Sequence, residues 1–259
     1  MKVLFIGDVI GKPGRQAVRH LLPGLAAEHG FDFVIANGEN AAAGFGITEK
    51  VGEEMFGLGI DVLTGGNHLW DKKDSVSYIA KETRILCPAN YPTNAVGARS
   101  GFFEARNGAR IGVFCLQGRV FMQALDCPFR KADEMVEKLR KETDIIFVDV
   151  HAEATSEKVA LGWHLDGRIS AIIGTHTHVP TADERILPKG TAYVTDAGMT
   201  GGHDGVIGMD KEAVLKRFLT GMPQKFETAE GDVRLNAVVV EVDEKSGKAK
   251  NITRMTQSV

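Results

Sequence analysis

Five apolar runs of this chain stop on residues able to bind cations. Ile172-Ile173-Gly174-Thr175 leads into His176-Thr177-His178, Lys2 to Gly7 into Asp8, and Asp32 to Ala36 into Asn37-Gly38-Glu39-Asn40. Ile60 to Thr64 leads into Gly65-Gly66-Asn67-His68, and Asp144 to Val150 into His151. A single ending of this kind has a bland explanation, because strands must stop somewhere and Asp8 or Asn67 could cap the following turn. Repeated endings in Asp, Glu, Asn and His point instead to one shared centre. Carboxylate and amide oxygens with imidazole nitrogens, and no thiolate, suit Mn, Fe, Zn or Co. So many donors exceed what one ion takes from protein while leaving room for water, whereas two ions bridged by one carboxylate would use them.

These endings coincide only if the runs are strands of one sheet system, with their C-terminal ends along one edge, where open α/β sheets bind ligands. If His176 and His178 continue a strand, they project to the same side, with Thr175 and Thr177 facing away. Pro13 to Glu28 carries apolar residues at helical spacing after the first run, and Thr48 caps a helix over Glu49 to Phe56 after the second. Three such βα units of about 30 residues predict a parallel sheet with right-handed crossovers. Arg84 to Leu86, Gly101 to Ala105 and Arg110 to Leu116, with no helix between them, predict antiparallel strands. Helices are expected over Phe129 to Glu142, Thr155 to His164 and Asp210 to Leu219, and a strand over Thr191 to Thr195. Gly198 to Gly208 reads as a glycine-rich loop, and Leu235 to Val242 with Ala249 to Met255 as a closing hairpin. No linker or internal repeat interrupts the chain, so residues 1–259 are expected to form one domain.

With 43% hydrophobic residues and a net charge of −3, the chain has ample material for a core and no electrostatic footprint for duplex nucleic acid. No run of eighteen apolar residues and no signal peptide is present, which suggests a cytoplasmic protein without a membrane partner. The three cysteines, Cys87, Cys115 and Cys127, lack CxxC spacing and suggest neither disulfides nor a thiolate zinc site. His20, His29 and His164 fall on helices and are expected to pack or face solvent, His203 lies in the glycine-rich loop, and Phe45 could cover the centre. Lys12 and Arg15 follow Asp8 and are candidate cations for a doubly charged phosphate.

The blocks Gly7-Asp8, Gly38-Glu39-Asn40, Gly66-Asn67-His68, His151 and Gly174-Thr175-His176-Thr177-His178 resemble the calcineurin-like metallophosphoesterase superfamily. Ile10 stands where that pattern has a histidine, and Gly-Glu-Asn replaces its bridging aspartate block. Together with Thr195-Asp196-Ala197-Gly198-Met199-Thr200-Gly201, these departures resemble the YmdB-like branch. The resemblance implies a four-layer α/β/β/α sandwich with a metal site at C-terminal strand ends, and phosphodiesterase activity on 2′,3′- or 3′,5′-cyclic nucleotides. It also implies that Asp8, Glu39, Asn40 and His178 hold one ion, that Glu39, Asn67, His151 and His176 hold the other, and that Glu39 bridges. Oxygen-rich ligation favours iron or manganese, with zinc as a further candidate. A metal-bound hydroxide would attack phosphorus, and His68 would protonate the leaving oxygen as general acid. The alternatives are a phosphomonoesterase such as a nucleotidase, and a regulatory protein that binds metal without needing turnover. RNA ends are expected further partners, and exposed sheet edges lead us to expect homo-oligomers.

Overall fold

The computed structural model describes residues 1–259 as a mixed α/β structure built on two sheets. The first half contains β1 (Lys2–Ile6), β2 (Asp8–Val9), α1 (Gly11–His29), β3 (Phe33–Asn37), α2 (Glu49–Gly57), β4 (Val62–Thr64), α3 (Val76–Ile79), β5 (Ile85–Leu86), β6 (Ser100–Glu104) and β7 (Arg110–Gln117). Then follow α4 (Pro128–Leu139), β8 (Ile146–His151), α5 (Thr155–Leu165), β9 (Ala171–Thr175), β10 (Arg185–Ile186), β11 (Ala192–Val194) and β12 (Met199–Gly202). The chain closes with α6 (Lys211–Thr220), β13 (Val233–Val242) and β14 (Ala249–Ser258).

In the eight-stranded sheet, β1, β3, β4 and β5 run parallel in that order. In the six-stranded sheet, β7, β8, β9 and β11 run parallel, with β6 and β10 antiparallel at its edges. The parallel strands have apolar side chains on both faces, as sheets covered on both sides require. Alternation then sorts residues into clusters. Val3 and Phe5 of β1 share a core with Ile111 and Val113 of β7 and Phe147 of β8, between the two sheets. Leu4 and Ile6, on the opposite face of β1, pack with Val18 and Leu22 of α1. Phe114 and Leu116, on the other face of β7, pack with Val136 and Leu139 of α4 and Leu161 of α5. Full burial of each large side chain is worth about 1.5–3 kcal/mol, so these clusters fix strand position strongly.

Three expectations change. Arg84 to Leu86 does not start an antiparallel set: β5 extends the first sheet parallel to β4, and only β6 and β7 make the expected hairpin. Met199–Gly202 is not loop but strand, parallel to β2 and antiparallel to β13. Its glycines permit close approach there, since a Cβ on Gly202 would lie 2.1 Å from the Ala229 carbonyl oxygen. The terminal hairpin also does more than close the chain, because β13 takes β1 and β12 along one edge and β14 along the other. No helix is long and apolar enough to cross a membrane.

Candidate metal centre

The C-terminal ends of β1, β3, β4, β8 and β9 bring Asp8, Glu39, Asn67, His151 and His176 together, although these residues span much of the chain. Around Nε2 of His151, which is fully buried, stand Glu39 Oε1 at 3.0 Å, Asn67 Oδ1 at 3.1 Å and His176 Nδ1 at 3.0 Å. Glu39, His151 and His176 alone place ligand atoms within 4.8 Å of one another. Close approach explains the glycine before Asn67: a Cβ on Gly66 would lie 2.4 Å from His151 Nε2.

Next to this group lies a second one. Asp8 is fully buried; Oδ2 accepts the His176 amide at 3.1 Å, while Oδ1 has no hydrogen-bond partner and stands 3.8 Å from His178 Nε2. The amide of Asn40 donates to Glu39 Oε1 at 3.1 Å and lies 3.5 Å from His178 Nε2, and its buried Oδ1 is unpartnered. A half-turn of that amide exchanges its oxygen and nitrogen and directs Oδ1 at the same point, the orientation a cation requires. Buried polar atoms are otherwise almost always satisfied, so two orphaned oxygens beside a carboxylate and an imidazole fit a cation site.

The predicted His-x-His strand geometry is corrected. β9 ends at Thr175, and His176 and His178 adopt left-handed φ of 92° and 67°. Such backbone costs on the order of 1–3 kcal/mol per non-glycine residue and needs support from its surroundings. Asp196 supplies it, since its Oδ2 accepts the Thr177 amide at 3.2 Å and the Thr177 hydroxyl at 2.7 Å. Lys158, only 1% exposed, donates to Asp196 Oδ2 and to the Thr175 carbonyl, both at 2.7 Å.

Thr175, expected to face away, is also corrected: pairing of β8 with β9 sets it opposite His151. Its hydroxyl donates to Asp149 Oδ1 at 2.7 Å and stands 2.9 Å from His151 Nδ1. Thr64 and Asn37 donate to Asp149 Oδ2 at 2.5 and 2.9 Å. This chain fixes the His151 ring with Nε2 inward, as oriented ligand histidines require. His178 is fixed likewise, Nδ1 lying 2.9 Å from the Ile207 carbonyl. Glu153 lies 3.2 Å from His176 Nε2, leaving Nδ1 to face the centre.

Charge follows from these contacts. Burial pushes the Asp8 carboxyl up to about 6. Burial also acts upward on Glu39, but the His151 charge and hydrogen bond, with the His68 amide, hold it down at about 2. Burial opposes protonation of His151, yet Glu39 and Asp8 raise it to about 9. For His176, burial and the neighbouring His151 charge lower it to about 3.

His68 stands outside this cluster of side-chain donors. Its backbone amide donates to Glu39 Oε2 at 3.0 Å, and its half-buried ring has Nδ1 2.7 Å from Asp71 Oδ2, leaving Nε2 available. Phe45 meets that ring edge-on at 5.0 Å between centroids. Asp71, Thr175, Asp149, Lys158 and Asp196 are the supporting residues that strand-end reasoning misses. Signals existed for two of them, because Asp149 is a carboxylate inside an otherwise apolar strand and Asp196 directly follows the run Thr191 to Thr195. Arg15 turns away, bonding Glu54 and the Ala41 carbonyl, and Lys12 is exposed. His20 and His29 lie on α1, His164 on α5 pairs with Asp133 at 2.9 Å, and His203 stands 3.3 Å from the Asn236 amide.

Residues 4–255 match the model of a family described as YmdB-like protein. The chain is 51% identical to a 2′,3′-cyclic-nucleotide 2′-phosphodiesterase of Bacillus subtilis (strain 168), over 98% of this chain and 96% of that protein. A crystal structure of a hypothetical protein from Thermus thermophilus superposes with a TM-score of 0.94 at 43% identity, covering 100% of this chain and 99% of the other. The crystal structure of a novel phosphatase from Mycoplasma pneumoniae also gives 0.94, at 35% identity, covering 100% and 93%. With its strand-end donor set and a match over nearly its whole length, the chain belongs to the YmdB-like family.

Proposed function

We propose that this chain is a dinuclear metal-dependent phosphodiesterase that opens 2′,3′-cyclic nucleotides. Membership of the phosphoric diester hydrolases follows from the Bacillus relative. The observation that carries the metal reading is the convergence of Glu39, Asn67 and His176 on His151 Nε2, beside the orphaned oxygens of Asp8 and Asn40. Asp8, Glu39, Asn40 and His178 would hold one ion, and Glu39, Asn67, His151 and His176 the other. Their oxygen-rich composition suits iron or manganese better than zinc. We read the three hydrophobic clusters as a four-layer α/β/β/α sandwich, one domain over residues 1–259, with the centre at its strand ends.

When bound, such ions supply Lewis acidity, which activates water near neutral pH and offsets charge on the phosphoryl oxygens. The protein's part is positional and protonic. Burial of Asp8 and Glu39 excludes water from the donor side, and the left-handed turn at His176 and His178 aims both rings inward. His68, held through Nδ1 by Asp71, carries at Nε2 the proton that the departing ribose oxygen needs. Arg217 is the only Lys or Arg lining the cleft above the centre. A doubly charged monoester would gain from more, and this favours the diester over the monoester reading.

His68→Ala tests the assignment. It should lower kcat on 2′,3′-cyclic AMP by about 10²–10⁴-fold with metal content per chain unchanged. Loss of metal in that variant, or faster cleavage of a matched monoester by the parent protein, would overturn the reading.

A further inference from the structure

The cleft over the donor set encloses about 730 Å³, in the range that accommodates a whole small-molecule ligand rather than a phosphate alone. Glu39, Asn40, His176 and His178 line it together with a run of apolar residues that we call its wall. That wall consists of Val206, Ile207 and Met209 after β12, Val214 and Phe218 of α6, and Phe226 beyond it. Met209 and Val214 are buried, but Phe218 is 81% and Ile207 52% exposed, although burial would be favourable. The wall is tied to the centre, because the Ile207 carbonyl is the partner of His178 Nδ1 at 2.9 Å.

The lining includes flat groups: the Arg217 guanidinium lies 5.3 Å from the Phe226 ring centroid, and Phe45 packs against His68. Among the polar side chains of the lining, Thr177 bonds Asp196 and Glu153 bonds His176, while the Arg217 guanidinium lies over the Phe226 ring. Aromatic, aliphatic and guanidinium faces bind bases by stacking, which all four bases share.

From this continuity we propose that the wall formed by residues 206–226 is a base-stacking subsite. It accepts any of the four nucleobases and makes nucleosides, rather than bare diesters, the preferred substrates. The inference rests on the phosphodiesterase reading above and extends it to recognition.

The test compares the four 2′,3′-cyclic nucleotides with 1-O-methylribose 2,3-cyclic phosphate, on metal-loaded protein, alongside calorimetric binding of 3′-AMP and ribose 3-phosphate. The nucleotides should agree within about tenfold in kcat/KM, with purines ahead. The base-free ester should fall about 5- to 150-fold below them, mainly through KM, the range one base–aromatic stack is worth. Phe226→Ala should shrink that ratio towards one, and Phe226→Leu, which keeps the apolar volume, should shrink it in part. Base-free and nucleotide esters cleaved equally, or a tenfold or greater selection of one base, would overturn the subsite. Absence of cleavage of every diester, with 3′-AMP still bound more tightly than ribose 3-phosphate, would overturn the phosphodiesterase reading and leave the subsite standing.

Discussion

Around His151 the donors have closed on one another, whereas around Asp8 they stand apart with two oxygens unpaired. Glu39 Oε1 stands 3.0 Å from His151 Nε2, and Glu39 with Asp8 raises that imidazole to about 9. Asp8 has no cationic donor so near: His178 Nε2 is 3.8 Å away, and Asp8 Oδ1 keeps its lone pairs free. Rigidity follows the same division. His151 sits at the end of a central strand, backed by Thr175 and Asp149, while His178 rides on a left-handed turn stapled by Asp196. His151 is therefore preorganised by the sheet, whereas His176 and His178 depend on a turn held by a buried ion pair.

The largest effect should come from breaking that pair. Lys158→Met leaves Asp196 buried without its cation, which costs about 3–5 kcal/mol. Denaturant unfolding of the metal-free protein checks this, and an unchanged midpoint would mean that the turn does not depend on Lys158. Thr175→Val acts on the other half. It removes the hydroxyl between His151 and Asp149, and affinity for one ion should fall about 10–100-fold while the ion near Asp8 is held as before. Equal loss of both ions in a metal titration would erase the distinction between the halves.

Titration against pH sharpens it further. A cation at His151 must expel the proton that this residue holds below about pH 9, so affinity there should rise about tenfold per pH unit up to that point and level off above it. Asp8, raised to about 6, is ionised above that point, so its carboxyl adds no slope between pH 6 and 9 and weakens binding only on further acidification. Glu39, held at about 2, contributes no slope in either range. Calorimetry in buffers of different protonation enthalpy would count the protons released. Identical slopes for both ions between pH 6 and 9 would contradict the comparison.

Much of this centre is legible in the sequence because its donors end apolar runs, and a parallel sheet gathers such ends on one edge. Asp8, Glu39, Asn67 and His151 follow that logic directly. His176 and His178 come to the centre for another reason, since backbone reversal beyond β9 replaces the strand alternation that their spacing suggests. Thr175, Asp149 and Asn37 could not be placed from periodicity, because their roles depend on which strands pair and in which register. Lys158 and Asp196 lie 38 positions apart and meet only across α5 and the end of β11. Gly201 and Gly202 look like loop in isolation and become strand because β13 lies alongside. β13 itself resembles an end hairpin until its pairing with β1 puts it inside the first sheet.

Metal titration of the metal-free protein with manganese, followed by hydrolysis of 2′,3′-cyclic AMP and phosphorus NMR of the product, tests the central claim most directly. Activity should rise to a plateau at two ions per chain, with a nucleoside monophosphate as sole product. Full activity at one ion per chain, or two bound ions without hydrolysis, would contradict it.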